Sequence, residues 1–376
     1  MENERNTVSL PLDIIIEILS RLPVKFILRS RCVCKLWRST ILSPSFIQLH
    51  HTRSLTRPDG NGLLLGSRVE SDGSLHLCFV GSAQNVNQLY DSTPRPFFSA
   101  SESINGLICL GLPDDDVCVC NPSTKECVAL PRTLMRQLSP LHWYHSYAFL
   151  GFDPPTNTYK ILRTWWTRAV SLAHEIFTLG SQTWRVLNDD NPRHSIPLGD
   201  VVYVNGTLYW KGYESRDIVA FDVGVEKFRI LELPENAPRK FMTDTNLTQI
   251  GGRLALVGHA SLLFRIELEI WISEEGRGWI KKTIECPRYW NRPIAYNRIM
   301  RQTWVDHIID VRTTPTGELA LIHRMEDYLF VLYCDPENKT MRKETVQWPP
   351  PVTGFCHLAY VTGHVESLQS VRQLMA

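Results

Sequence analysis

The segment Leu10–Leu42 reads LPLDIIIEILSRLPVKFILRSRCVCKLWRSTIL, and its apolar residues do not fall on a single side of the helices that it predicts. Pro11 suits the first position of a helix, where a missing N–H costs nothing, and Pro23 stops that helix. The pattern predicts a second helix from about residue 25 to 33 and a third from about 35 to 42. The segment is therefore predicted to be a module of short helices.

A further helical stretch follows in SPSFIQLH, where Ser43 caps the helix and Pro44 stands just inside it. A module of roughly forty residues is too small to bury all of these apolar side chains against one another. Burying one large aliphatic side chain contributes roughly 1.5 to 3 kcal/mol, so several of them left in water would be a serious liability. The sequence thus predicts a cover for this surface, which is either a second protein or the rest of this chain.

Positive charge is concentrated in the same module. No acidic residue lies between Glu17 and Asp59, although the whole chain has a net charge of only +1. So small a net charge excludes a field over the whole protein that would attract nucleic acid or an anionic membrane. An apolar helical surface with a cationic rim favours an acidic protein partner, and nucleic acid is the alternative. The cations of this interval are Arg21, Lys25, Arg29, Arg31, Lys35, Arg38, Arg53 and Arg57.

These residues resemble the F-box. LPLDIIIEILSRLPVK, RSRCVCKLWRSTI and SPSFIQLH carry its Leu-Pro pairs, apolar helix and Cys-Lys-x-Trp spacing over about residues 10 to 50. The resemblance implies a three-helix module, with Cys34 buried, that docks on the small acidic Skp-type adaptor of cullin-RING ubiquitin ligases. Phe26 and Ile27 depart from the family, which often has a small polar residue and Leu there. The adaptor-binding positions that the resemblance implies are Leu10, Pro11, Ile14, Ile15, Ile18, Leu19, Leu22, Pro23, Val33, Cys34, Lys35 and Trp37.

After about residue 55 the pattern changes from helical to strand-like. Short β-branched and aromatic runs alternate with Asn-Gly, Gly-Gly and similar turns, as in INGLICL, VNGTLYW, IGGRLALV and PTGELALI. A second type of hairpin recurs in VCVCNPSTKECVAL, IVAFDVGVEKFRIL and LFVLYCDPENKTMRKE. One hairpin of each type makes a four-stranded unit of roughly 45 to 50 residues, which is the length of a propeller blade, and about six units are visible. An array of β-sandwiches is the competing interpretation.

The same strands carry a second resemblance. NPSTKECVALP, GFDPPTNTYKILRT, VVYVNGTLYW, FDVGVEKFRILELP, LEIWISEEGRGW and the late VTGHVESL resemble the plant F-box-associated domain, which implies a kelch-like surface for substrate recognition. The expected fold is α+β, with a small all-α three-helix F-box before a mostly-β, propeller-like domain of about six blades. The expected divisions are an F-box over 1–50, a connecting segment with the first β elements over 51–103 and the F-box-associated domain over 104–376.

The sequence offers no convincing constellation for chemistry. Cys118, Cys120 and Cys127 lack the C-x-x-C pairs of strong zinc sites, so we expect them to pack in the core, and the ten cysteines are expected to be reduced. Asp114–Asp116 lack the spaced ligands of a calcium loop. Walker, G-x-S-x-G and H-E-x-x-H motifs do not occur in the chain. We therefore expect no catalytic residue, no metal and no cofactor.

One segment is a candidate for contact with a target. His142, Trp143, Tyr144 and His145 stand in a predicted loop between blade elements, and exposed aromatic residues with histidine are typical of interfaces. Packing of Trp143 between blades is the structural alternative. The aromatic and cationic segment YWNRPIAYNRIMRQTW offers a second loop of this kind.

The N-terminus has no apolar core of a signal peptide and no run is long enough to cross a membrane, so a cytoplasmic or nuclear location is expected. The hypothesis is a non-catalytic substrate receptor that joins a Skp-type adaptor, and through it cullin and RING subunits, to an unknown protein target, without nucleic acid or membrane as partners. Three alternatives are an adaptor-bound scaffold without target turnover, a kelch-like enzyme such as a glycan oxidase, and a nucleic-acid binder.

Overall fold

The computed structural model describes residues 10–69, 75–81, 86–90, 99–112, 116–133, 145–166, 172–187, 197, 201–212, 217–234, 245–262, 265–274, 278–286, 310–324, 328–347 and 356–376. Short helices come first and a ring of β-sheets follows. Among the helices in these ranges, none combines the length and apolarity that crossing a bilayer requires.

The helical module consists of short helices, the last of them over the stretch SPSFIQLH for which the sequence predicts a further helix. They are α1 (Leu12–Leu19), α2 (Val24–Ser30), α3 (Lys35–Ile41) and α4 (Pro44–Ser54). Pro11 and Pro23 are the residues that precede α1 and α2, so each proline begins a helix. Ser43 caps α4 as predicted, because its hydroxyl accepts the N–H of Phe46 at 3.3 Å. The fourth helix therefore starts where the sequence predicts and continues past residue 50.

In the described ranges, twenty-four strands form six four-stranded antiparallel sheets, which we number as blades 1 to 6. Blade 1 joins β24 (Cys356–Val365) to β1 (Asn61–Val69), β2 (Leu75–Gly81) and β3 (Val86–Tyr90). Blade 2 has β4 (Ser99–Ala100), β5 (Ile108–Gly111), β6 (Val117–Asn121) and β7 (Glu126–Ala129). Blade 3 has β8 (His145–Asp153), β9 (Thr158–Trp166), β10 (Leu172–Thr178) and β11 (Arg185–Leu187).

The remaining blades repeat the same up-and-down order. Blade 4 has β12 (Val202–Val204), β13 (Thr207–Lys211), β14 (Ile218–Asp222) and β15 (Lys227–Leu231). Blade 5 has β16 (Thr245–Ile250), β17 (Arg253–Leu262), β18 (Arg265–Glu274) and β19 (Gly278–Glu285). Blade 6 has β20 (Asp310–Thr313), β21 (Leu319–Arg324), β22 (Tyr328–Cys334) and β23 (Met341–Gln347). A last short helix, α5 (Val371–Met375), follows β24.

The ring closes because the last strand pairs with the first. Asn61 of β1 lies opposite Val365 of β24, and Val69 lies opposite Cys356. Strand β24 also contacts the start of blade 2, where the Tyr360 hydroxyl donates to the Ser101 carbonyl at 2.5 Å. The prediction of a propeller of about six blades is confirmed, and within the range 51–103 strands β1 to β3 belong to blade 1 while β4 begins blade 2.

Six apolar clusters hold the ring together, and each is shared by two neighbouring blades. Trp210 of blade 4, for example, packs with Phe149 and Leu162 of blade 3. Both faces of the inner strands are thus covered, which explains why β13 and β6 are buried at every position. Long apolar runs such as VCVC are the sequence signal of this double burial.

Tight turns define one face of the ring, which we call the near face. Four turns begin with Asn or Asp and place the fifth residue at positive φ, at Lys125, Asn157, Glu226 and Lys339. In one of them Asp222 Oδ1 accepts the N–H groups of Gly224 and Val225, both at 2.9 Å. Since β1 starts beside the end of β24, the helical module joins the ring on this near face.

Candidate functional site

The helical module exposes a set of large apolar side chains. Among the expected adaptor-binding positions, seven are exposed: Leu10, Pro11, Ile14, Ile18, Val33, Cys34 and Lys35. Val33 has 63 % of its surface in solvent, and Ile18 has 49 %. Such a group of exposed apolar residues is unusual on a monomer and is typical of a protein-docking surface.

Other expected positions support the module from within. Leu19 is only 2 % exposed and packs in the core of the module, so it does not belong to the exposed set. Ile15, Leu22, Pro23 and Trp37 are half-buried, and all but Pro23 pack against that core. Consecutive residues of a helix point in different directions, so Ile18 faces the solvent while its neighbour Leu19 faces the core of the module.

Phe26 joins the docking surface although the family pattern gives no large residue there. It is 49 % exposed and lines an open groove of about 420 Å³ with Leu22, Pro23, Arg29, Ser30 and Val33. The groove connects the end of α1 with α2 and the turn before α3. The departure noted at Phe26 therefore adds apolar surface, and Leu12 and Leu36 are further exposed residues that sequence reasoning missed. The run Phe26-Ile27-Leu28 was the sequence signal for exposed apolar surface on α2, because a single narrow helical stripe cannot bury three consecutive apolar side chains.

Seven of the eight cations of the module divide into two groups, and the eighth, Arg31, is half-buried. Arg21 and Arg53 both pair with Glu17, at 2.5 Å, and these two bonds hold the pKa of the Glu17 carboxyl below its usual range. Arg57 pairs with Glu366, also at 2.5 Å. Within the described residues, the second group has no ion pair and is exposed to solvent: Lys25, Arg29, Lys35 and Arg38. The rim around the apolar surface is thus positive, which complements an acidic partner.

Cys34 is exposed, contrary to the expectation that it is buried. It is the residue that begins α3, and its sulfur accepts the N–H of Trp37 at 3.4 Å. A capping position at the start of a helix keeps the side chain at the surface of this chain. Its exposure places it with Val33 among the residues that a partner can contact.

The cysteines of blade 2 are also different from the prediction. The structure joins Cys120 and Cys127 in a disulfide, whereas all ten cysteines were expected to be reduced. The cause lies in the hairpin register, which puts the two residues opposite each other on β6 and β7 with their Cα atoms 4.1 Å apart. Cys118 Sγ lies 3.7 Å from Cys120 Sγ, and burial raises the pKa of the Cys118 thiol to about 12. The three sulfur atoms lie within 4.8 Å of one another, a spacing that suits a metal ion once the disulfide is reduced and the thiols are ionised.

The candidate target-binding segment lies mostly outside the described residues. His142, Trp143 and Tyr144 belong to that part, and His145 is the first residue of β8 instead of a loop residue. As the first strand of its blade, β8 runs toward the tight turn that starts at Asp153, so His145 stands at the opposite end. We call that side of the ring the far face, and the segment joins β8 there.

Two histidines are buried without charge in and beside the module. His50 Nε2 donates to the Leu22 carbonyl at 2.9 Å, and His364 lies between the hydroxyls of Ser103 and Ser123, at 2.8 and 3.2 Å. Burial disfavours the cation, so the pKa of His50 falls to about 4 and that of His364 to about 3.

We expect the free energy of unfolding to fall when the pH is lowered from 7.5 to 5. In the unfolded chain each of the two histidines binds a proton near pH 6.5, while in the folded chain it does not. Their contribution to the free energy of unfolding is therefore fully present above pH 6.5 and is lost as the pH falls below it. The loss is about 2 kcal/mol for each histidine at pH 5. Chemical denaturation over this range measures it, with His364→Gln as the comparison. A pH slope that is the same in both proteins would contradict the prediction.

Comparison with known proteins agrees with this division of the chain. Residues 8–49 match the F-box domain, and residues 68–363 match the F-box associated beta propeller domain. An F-box protein of Arabidopsis thaliana is 30% identical over 390 residues, which cover 98% of this chain and 92% of that protein. The F-box protein DOR of the same plant is 28% identical over 376 residues and covers 92% and 89% of the two chains.

Solved structures show the fold alone. The crystal structure of TolB from Acinetobacter baumannii has a TM-score of 0.50 and 11% sequence identity, and the alignment covers 84% of this chain and 73% of TolB. A kelch relationship of the ring stays a prediction. The matched domains and the relatives at full length indicate no enzymatic family, and the chain belongs to the F-box proteins with an F-box associated β-propeller domain.

Proposed function

We propose that this protein is the substrate-recognition subunit of an SCF-type ubiquitin ligase. The F-box would bind a Skp-type adaptor and, through it, the cullin and RING subunits, while the propeller binds a protein target. The chain would contribute proximity and no bond chemistry, since it would hold a target lysine near ubiquitin carried by another subunit. F-box domains generally bind Skp-type adaptors, which supports the first half of this proposal.

The observation that carries the proposal is the exposed apolar surface of the F-box with its positive rim. Ile14, Ile18, Phe26 and Val33 are all more than two-fifths exposed although the chain has a complete core beneath them. The alternative cover, the rest of this chain, contributes Leu368 to the core that holds Leu19 and Ile27, and it leaves this surface open in the described residues. A small acidic protein fits both its apolarity and its charge.

Co-expression of the full chain with a Skp-type adaptor tests the proposal. We expect a soluble one-to-one complex on gel filtration and recruitment of a cullin by that complex. Absence of the complex would refute the assignment, and a complex that never recruits cullin would favour the scaffold.

We further propose that the target binds on the far face of the ring. The F-box occupies the near face, so the far face is free of it, and the connections between successive blades leave from strand ends on that side. Loops on one face of a rigid ring are suited to recognition.

Replacement of residues 142–145 by Gly and Ser is expected to weaken target binding at least about tenfold, because aromatic anchors carry most interface energy. Adaptor binding should be unchanged. A target trapped from plant extract by the wild-type chain provides the assay, and the same replacement at 337–339 in a near-face turn is the control. Equal target binding by both variants would show that the segment is not the contact.

A further inference from the structure

Residues 366–375 lie between the F-box and the propeller, and we call them the C-terminal joint. On the F-box side, Glu366 Oε2 accepts the Arg57 guanidinium at 2.5 Å and the N–H of Val24 at 3.3 Å. Arg57 also donates to the carbonyl of Leu22 at 3.0 Å. One carboxylate thus connects the joint to the start of α2 and, through Arg57, to the end of α1.

Leu368 adds an apolar contact to these polar ones. It is 1 % exposed and belongs to the core cluster of the F-box, together with Val24, Ile27 and Phe46. A leucine from the far end of the chain therefore completes the core of the N-terminal module. Loss of such a side chain would leave a cavity in the F-box.

Blade 2 holds the other side of the joint. The Asn121 amide donates to the carbonyls of Ser367 and Gln369, at 3.0 and 2.8 Å. Glu126 accepts the N–H groups of Val371 and Arg372 at the start of α5, at 2.9 and 3.2 Å. Val371 is fully buried in the cluster that blades 2 and 3 share.

The backbone packing leaves little room for movement in the joint. A Cβ atom on Gly106 would lie 2.3 Å from the Ser367 Cβ, and Gly106 has φ +81, which favours glycine. One on Gly60, whose carbonyl accepts the Glu366 N–H at 2.8 Å, would lie 2.7 Å from the Ser54 carbonyl oxygen. Gly106 thus permits the close approach of the joint to blade 2, and Gly60 permits the close packing on α4 of the backbone that bonds Glu366.

The buried ion pair is better suited to fixing geometry than to adding stability. Burial raises the pKa of Glu366 despite the neighbouring Arg57, so desolvation of the carboxylate opposes the attraction of the pair. Both side chains are less than one-fifth exposed, at 16% and 15%. Buried pairs of this kind can specify one arrangement of the elements that they connect.

We propose that the C-terminal joint fixes the orientation of the F-box relative to the propeller, with Glu366 as the positioning residue. This inference rests on the proposed function in one respect, because a fixed orientation matters for ubiquitin transfer only if the F-box docks on the ligase. The joint would then set the distance between a bound target and the adaptor. Its residues follow position 363, where the match to the propeller family ends.

The distance between the two parts can be measured directly in the full chain. Gln48 of α4 and Thr283 of β19 are both exposed. Azide-bearing amino acids at these two positions accept a pair of fluorophores. Single-molecule energy transfer then gives the distribution of distances, first for the free chain and then for its adaptor complex. The variants are Glu366→Ala, Arg57→Met and the conservative Glu366→Gln, which keeps an acceptor for Arg57 and Val24. Glu318→Ala, which removes the Arg342 ion pair on blade 6, is the matched control.

We expect one narrow distribution for the wild type and for Glu318→Ala, and a broad one for Glu366→Ala and Arg57→Met. Hydrogen exchange at the Val24 amide should accelerate about tenfold in Glu366→Ala, because its acceptor is lost. Glu366→Gln should restore most of the narrow distribution. Narrow distributions in both Glu366→Ala and Arg57→Met would overturn the joint. Since the free chain is measured as well, failure of adaptor binding would refute the proposed function without affecting this result.

Discussion

Ile18→Asp is expected to abolish binding of the Skp-type adaptor by the full chain. Ile18 is 49 % exposed on α1, beside Leu22, which lines the Phe26 groove. An aspartate there would be desolvated in the interface without a partner, and it would face an acidic protein. The dissociation constant should rise at least about hundredfold, as it does when a central apolar anchor is lost and a charge is buried. Isothermal titration with purified adaptor measures the change.

The control for this variant must carry the same substitution on another exposed surface. Ile280→Asp is suitable, because Ile280 is 39 % exposed on the outer strand of blade 5. Neither side chain belongs to a buried cluster, so both variants should keep the denaturation midpoint of the wild type. If Ile18→Asp binds the adaptor as tightly as Ile280→Asp does, α1 is not the docking surface.

The docking surface was largely predictable, because its apolar side chains depart from the rule that such side chains are buried. Apolar residues on several sides of short helices cannot all be buried by a module of this size, so the module was expected to leave some of them for another surface to cover. Which neighbour faces inward was not predictable at this level. Leu19 fills the core while Ile18 does not, and the core that Leu19 joins includes Leu368 from a distant part of the chain.

Local turn chemistry explains why the blades could be recognised. The motifs NPSTKE, DVGVEK and DPENKT each start with Asn or Asp, whose side chain accepts the N–H groups two and three residues later. Such contacts are encoded within a few residues. The Cys120–Cys127 disulfide belongs to one of these turns and was not predicted. The spacing of Cys118 and Cys120 along one strand does not show that Cys127 lies opposite Cys120 across the hairpin.

Contacts between distant parts of the chain could not be predicted from the sequence. The pairing of β1 with β24 joins residues about three hundred positions apart, and neither strand has a feature that selects the other. For this reason residues 51–103 were expected to be a connecting segment with the first β elements, and the place of those elements in blade 1 and at the start of blade 2 could not be predicted. The joint at Glu366 was missed for the same reason, since its acceptor role depends on Arg57 and Val24.

Gly363→Ala should destabilise the ring more than Gly81→Ala, which adds the same methyl group where there is room for it. A Cβ at this position would lie 2.4 Å from the Thr313 carbonyl oxygen, so the backbone of β24 or of β20 must move. Overpacking costs about 1 to 3 kcal/mol, and the upper end is expected because the nearest atom belongs to the backbone and not to the end of a flexible side chain. The midpoint of urea denaturation for the full chain measures the loss.

Gly81→Ala is the matched control, since it adds the same methyl group to blade 1 and its Cβ would lie 3.4 Å from the nearest atom. The contrast between the two glycines tests how the ring closes. Strand β24 is held by its ladder to β1 on one side and by contact with β20 on the other, so a shift that relieves Thr313 also disturbs the ladder at Leu63. A midpoint for Gly363→Ala that equals that of Gly81→Ala would mean that β24 moves freely at this seam. The closing strand would then add pairing to blade 1 without locking blade 6 in place.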